Sequence, residues 1–292
     1  MSAALKELIR DPTVAELELV ARYAGLKADP RRERLFEAFA RSGLPSRRTE
    51  GWRWSDFKAA VKTLDVPGTS GAADPLAGDV ATLRFSPAGA VLPKSVPDGL
   101  RLIQREDVQA AGGAEAFPLG ALAAALSPGT ILAEVTGDAP VRLHLVFGGS
   151  GAINAARIVF LLRPGAELHL SESHLGGSAL SAALIEFTLQ SGARLKRTVY
   201  QRGAATEAQA ITALIEQDAG AETTQTLLAF GAGVSRIETF LTHRETASTA
   251  TLNAAYLAGH GYHCDLTSQV RHGAPACTTR QLTKGAVLDG GR

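Results

Sequence analysis

Residues His260–Cys277 read HGYHCDLTSQVRHGAPAC and hold three of the chain's seven histidines and both of its cysteines. Such side chains bind metal when they converge at bond lengths of ~2.0–2.3 Å. The twelve residues between Cys264 and Cys277 match no zinc-finger spacing. His263 and Cys264 are adjacent, and on a strand neighbours point to opposite faces, a poor chelate. His260 and His272 fall beside glycines, where a histidine serves a turn as readily as a metal. His272 and Cys277 are the weak metal candidates, and the elements around them decide between ligand and structural roles.

Those elements repeat. A small pair recurs as Gly165-Ala166, Gly192-Ala193, Gly220-Ala221 and Gly273-Ala274, with Gly137 before them and Thr246-Ala247 at the one vacant step. The spacing is about 27 residues, and self-similarity at a fixed period marks a stacked architecture. The segments before the corners align as IVFLL, IEFTL, ITALI, IETFL and CDLTS, starting at Ile158, Ile185, Ile211, Ile237 and Cys264. Their odd places are mostly aliphatic. Their even places include Glu186, Thr188, Glu238, Asp265 and Thr267, an alternation that points one set inward and the other outward. Each coil covers the inward face of the next. The expected core is a β-solenoid with two main strands per coil.

On this lattice Cys264 takes the place of the isoleucines, and a buried free cysteine behaves as a small hydrophobe. Cys277, four places after Gly273, becomes equivalent to the solvent-facing His169, Lys196 and Thr224. Glu167 and Glu172 are expected on an outward, solvated face. GGSGAI and GAGVSR are glycine turns at corners, since each lacks the third glycine of a dinucleotide fingerprint.

The N-terminal part is helical. Asp11-Pro12 and Asp29-Pro30 each place a capping carboxylate before a proline suited to a first helical turn. Gly43 and Pro45 end the second helix, and a short third begins near Ser55. The domains expected are a helical region over 1–65, a mixed connecting region over 66–126, and the solenoid over 127–292. The connecting region includes PGTSGAADPLAG, the strand-like TLRF and LRLIQRED, and a helical ALAAAL.

Composition bounds the function. The 292 residues carry a formal charge of +1, with 20% charged and 5% aromatic residues. No excess of charge points to nucleic acid or an anionic membrane. No apolar run reaches the ~18 residues of a membrane span, and the start MSAALKELIR is too short and charged for a signal core. Two cysteines without a secretory signal suit a reducing cytoplasm. A polysaccharide-active β-helix enzyme would need clustered outward acids and sugar-stacking aromatics, and the outward positions are mixed in sign. A stand-alone metal- or redox-binding solenoid stays open through His272 and Cys277.

Two segments resemble the SufD family, scaffold subunits of the SUF iron–sulfur cluster assembly complex. FARSGLPSRRTEGWRWSDF carries Gly43, Pro45, Arg47, Arg48, Glu50, Trp52 and Trp54 of that family's N-terminal motif. The stretch from Ser235 onward carries Arg236, Glu238, Asp265, Val270, His272, Pro275, Gln281, Lys284 and Gly285 of a motif shared by SufB and SufD. The resemblance implies a right-handed parallel β-helix behind a helical region, and a non-catalytic scaffold joined to a SufB-like subunit through the β-helix. It implies a SufC-like ATPase gripped by a C-terminal helical domain that lies beyond Arg292, so that the chain reads as C-terminally truncated. A transient iron–sulfur cluster belongs to the full complex, and no cofactor to this chain alone. The family's cluster-facing histidine also falls beyond Arg292, so no cluster ligand is assigned.

Overall fold

The computed structural model describes residues 8–65, 73–105, 108 and 113–292. The first seven residues, residues 67–72 of the PGTSGAADPLAG connection, and Glu106 and Asp107 of LRLIQRED lie outside them.

Helix α1 spans Val14–Ala24, α2 Pro30–Ser42 and α3 Phe57–Ala60. Asp29 caps α2 as expected, its Oδ1 accepting from the Arg32 N–H with Pro30 in the first turn. The cap of α1 is Thr13 rather than Asp11. Thr13 and Glu16 form a reciprocal capping box, which satisfies two terminal groups where a lone Asp-Pro step satisfies one. Glu16 does more: fully buried, it also accepts from the Leu44 N–H and lies 3.3 Å from Lys58 Nζ. Gly43 ends α2 at φ 64°, where an added Cβ would run into that carboxylate. After a 3-10 turn, α4 runs Pro118–Leu126.

The rest is mainly parallel β-solenoid of about six turns. One face stacks β1 (Thr82–Ser86), the first half of β5 (Val141–Leu162), the first half of β6 (Glu167–Leu189), β7 (Arg194–Gln201), β9 (Glu222–Ala229), β11 (Thr249–Ala258) and β13 (Thr278–Val287). The second face stacks β4 (Thr130–Val135), the later halves of β5 and β6, β8 (Ala208–Gln217), β10 (Val234–His243) and β12 (Asp265–His272). The hairpin strand β2 (Gly89–Val91) and strand β3 (Leu100–Arg105) attach antiparallel to β1 and β4. Successive rungs follow Ile131, Ile158, Ile185, Ala213, Thr239 and Ser268, steps of 27, 27, 28, 26 and 29 residues. Rings stack along the interior, as in Phe85–Phe147–His174 and Phe160–Phe187, with centroids 4.3–5.0 Å apart.

Two layers of core result. One fills the bore. The other lies outside the second face, where α4 and the N-terminal helices cover Leu180, Ala182, Leu184, Ala208, Ala210, Leu214 and Val234. The outward set expected from the alternation therefore faces a helical cover on this side. Glu186 and Glu238 do point outward, but helices cover them and both are buried.

The register also differs in detail. Ile185 faces Ala213, Ile211 faces Ala183, and Ile237 faces Leu266. The isoleucine column therefore slips by two residues between 185 and 211 and again at Cys264, which lies level with Ser235. A slip of two keeps every side chain on its original face, so Cys264 still packs against the bore. The last corner shifts too. Left-handed backbone falls at Gly137, Gly165, Gly192, Gly220, Ala247 and Ala276, not at Gly273. Cys277 is thereby level with Ala166, Ala193, Ala221 and Ser248, an inward corner column, and not with His169, Lys196 and Thr224.

Candidate functional site: a polar bore and a junction of two motifs

Along the first face the inward side chains change character from coil to coil. Val141, Leu143 and Leu145 are followed by Leu168, Leu170, Glu172 and His174, and then by Leu195, Arg197, Val199 and Gln201. Glu172, expected on a solvated surface, is instead fully buried in the bore, as is Arg197. It shares the strand parity of Leu168 and Leu170, and that parity was the available signal. Arg197 Nε and Nη2 donate to the two Glu172 oxygens at 2.6 and 2.8 Å. Arg197 Nη1 donates to Gln225 Oε1 at 2.6 Å, and Gln225 Nε2 to Thr239 Oγ1 at 3.0 Å. The chain of bonds crosses the bore from one face to the other.

Burial pushes the Glu172 carboxyl up, but the Arg197 charge and the hydrogen bonds from His174 and Arg197 outweigh it, and the group sits below its ordinary range. Burial holds His174 below its ordinary range against the pull of Glu172. His174 is thus neutral and donates from Nε2 to Glu172 Oε2 at 3.2 Å. A carboxylate fixed by three donors is a poor proton acceptor for chemistry. What this arrangement does is lock adjacent coils, because both charges are costly unless paired.

Further along, the bore stays polar. Gln217 Nε2 donates to Thr223 Oγ1 and the Thr249 carbonyl. His243 is buried, hydrogen-bonded with Ser248 Oγ at 2.7 Å and Thr279 Oγ1 at 3.0 Å. His272 lies over it with rings 4.6 Å apart and shares Thr279 Oγ1 at 3.1 Å. The Cys277 thiol is 3.4 Å from Ser248 Oγ. Burial lowers the His243 pKa, with His272 adding to the effect. Cys264 is pushed up to about 11 by burial, which leaves its thiol protonated and unreactive. Among the described residues no group of three or more His, Cys, Asp or Glu is placed to hold a metal ion.

The second arrangement lies on the outside, where residues from both ends of the chain meet. Trp52 is buried, edge-on to Phe57, and its ring carries the Arg236 guanidinium 4.1 Å from the centroid. Arg236 donates to Glu238 Oε1 at 2.9 Å and to Asp265 Oδ2 at 2.7 Å. Ser55 Oγ donates to the same Asp265 oxygen at 2.5 Å, and His263 Nε2 hydrogen-bonds with the Trp54 carbonyl at 2.7 Å. Burial raises the Glu238 pKa despite Arg236. The Ser55–Asp265 and His263–Trp54 bonds each join residues some two hundred positions apart in the sequence.

The remaining motif residues have lesser roles. The Pro45 carbonyl accepts from the Lys58 N–H, Arg47 lies 4.0 Å from Asp56, and Arg48 and Glu50 are exposed. The Trp54 ring is 74% exposed, with Arg53 over it. The Pro275 carbonyl accepts from Thr246 Oγ1, binding two corners together. Gly285 lies under the Tyr256 ring, which leaves no room for a Cβ. The structure therefore joins Trp52, Arg236, Glu238 and Asp265, and leaves His272 and Pro275 apart from them at the far corners.

A parallel solenoid with a helical cover and a polar bore is a structural class, and the chain's family follows from its coils. Residues 145–292, half of the chain, match the SUF system FeS cluster assembly, SufBD core domain family. The chain belongs to that family and is a SufB/SufD-type protein of iron–sulfur cluster assembly. No curated protein matches it. Among the described residues no helix is long and apolar enough to cross a membrane.

Proposed function

We propose that this protein is a SufD-like, non-catalytic scaffold subunit that pairs through its solenoid with a SufB-like subunit and works with a SufC-like ATPase in the cytoplasm. The iron–sulfur cluster is cargo of that assembly and not a resident cofactor of this chain. The observation that supports this most is the junction. Trp52 and Ser55 come from the segment that resembles SufD in particular, and they close on Arg236 and Asp265 from the segment shared by SufB and SufD. A motif whose residues touch the shared coil has a physical reason to travel with it. The bore supports the non-catalytic part, since its charged groups are held in pairs by their neighbours.

The test is co-expression of the protein with SufB-like and SufC-like partners of the same genome, one partner carrying the affinity tag. The expected result is a complex containing all three chains after size exclusion. Recovery of the two partners together, with this protein eluting by itself, would contradict the proposal.

A further inference from the structure

Between the N-terminal end of α2, the C-terminal end of α4 and the first coils lies a small, partly open cleft of about 20 Å³ lined by Asp29, Arg31, Arg32, Ser127, Thr130 and Arg157. Three guanidinium groups border this small space, and they are not equally satisfied. Arg32 Nη1 donates to the carbonyls of Ala125 and Ser127. Arg157 is almost fully buried, donating from Nε to Glu186 at 2.8 Å. Arg31 Nη1 is buried and has no hydrogen-bond partner among the described residues. The helix end is not the attraction, because Asp29 already caps it.

Arg31 is half-buried, but a guanidinium nitrogen buried without a partner is costly, the more so beside another guanidinium of the same charge. Burial first, and Arg157 second, hold the Arg31 pKa below its ordinary value, while Glu186, Glu115 and Asp29 pull the other way without a bond to it. Guanidinium forks match the paired oxygens of phosphate and sulfate in geometry and charge. We infer that this cleft is a binding site for a small oxyanion of the phosphate or sulfate type, held by Arg31 with Arg157 and Arg32 around it. An ion there would bridge the helical cover to β4 and β5. The site is independent of the scaffold reading, and either can fail without the other.

The test is thermal unfolding of the whole protein in sodium phosphate, sodium sulfate and sodium chloride at matched ionic strength. A ligand that binds only the folded state raises Tm by mass action. The expected result is a saturable rise of roughly 3 °C or more in phosphate or sulfate over chloride. Arg31→Met should lose that rise while its Tm in chloride equals or exceeds that of the parent. Arg34→Met, an exposed position on the same helix, should keep it. If Arg31→Met fails to fold, Arg31→Gln replaces it in the same comparison. A phosphate effect equal in the parent and the Arg31 variant, or no effect in the parent, would overturn the assignment.

Discussion

Two of the buried ion networks in this molecule differ in what they join. Glu172 and Arg197 sit inside the bore on neighbouring coils, sealed from solvent on both sides. Arg236 sits outside the solenoid, between Glu238, Asp265 and the Trp52 ring, and links the coils to the helical cover. The first has no alternative partner in water if it breaks, so it specifies which coil lies on which. The second lies at a boundary where helices can lift away, so it specifies how the cover docks. A stacked fold needs both kinds of instruction, because aliphatic columns alone tolerate a slip of two residues, as the interior column itself does between Ile185 and Ile211.

The sharpest way to break this contrast is inside the bore. Glu172→Leu strands the Arg197 charge and should cost about 3–5 kcal/mol, read as a lower urea midpoint. Glu172→Leu with Arg197→Met should recover most of that loss, since a paired charge and an apolar pair of similar volume are close in stability. At the junction, Asp265→Ala removes the acceptor of Arg236 and Ser55 while Glu238 stays. The expected loss is about 1–3 kcal/mol. Hydrogen exchange should then show faster exchange in α1 to α3 and unchanged protection in β7 and β9.

Acid should separate the two networks further. His174 and His243 have folded pKa values below the ordinary 6.5, and the Glu172 carboxyl lies below its ordinary 4.5. The unfolded chain therefore binds more protons at these groups. Stability falls as pH drops through 6.5 and falls again below 4.5. Glu186 and Glu238, raised above 4.5, act in the opposite sense: their contribution is greatest below 4.5 and is lost as pH rises through their folded values. The decline of the urea midpoint below pH 4.5 should accordingly be smaller in Glu172→Leu/Arg197→Met than in the parent, while the decline through 6.5, set by His174 and His243, remains. The smallest effect belongs to the corners. Ala247 and Ala276 hold left-handed backbone at φ near 60°, which the earlier corners give to glycine. Ala247→Gly should raise stability by about 0.5–1 kcal/mol, a small increase in Tm.

Much of this was legible in the sequence, and the misses share a cause. Period and strand parity placed the coils, because identical inward chemistry at about 27 residues has no other simple origin. Glu172 is a miss: its acidic side chain suggests an exposed face, although it shares the parity of Leu168 and Leu170 and lies with them inside the bore. The outward acids Glu186 and Glu238 were assigned to the correct face, but a strand cannot announce that helices from the other end of the chain will cover it. Cys277 was misplaced because Gly273-Ala274 imitated a corner three residues early. The turn instead uses an alanine at 276, which no propensity favours at positive φ. The two motif segments were visible separately. Their contact through Trp52, Arg236 and Asp265 required the fold.

A double-mutant cycle pairing Trp52→Leu with Arg236→Met tests that contact most directly. The ring and the guanidinium lie 4.1 Å apart on segments with no sequence proximity. A desolvated cation–π pair at that separation predicts a coupling of about 1–2 kcal/mol in urea unfolding. Losses that simply add, within about 0.3–0.5 kcal/mol, would mean that the N-terminal segment and the late coils do not meet as described.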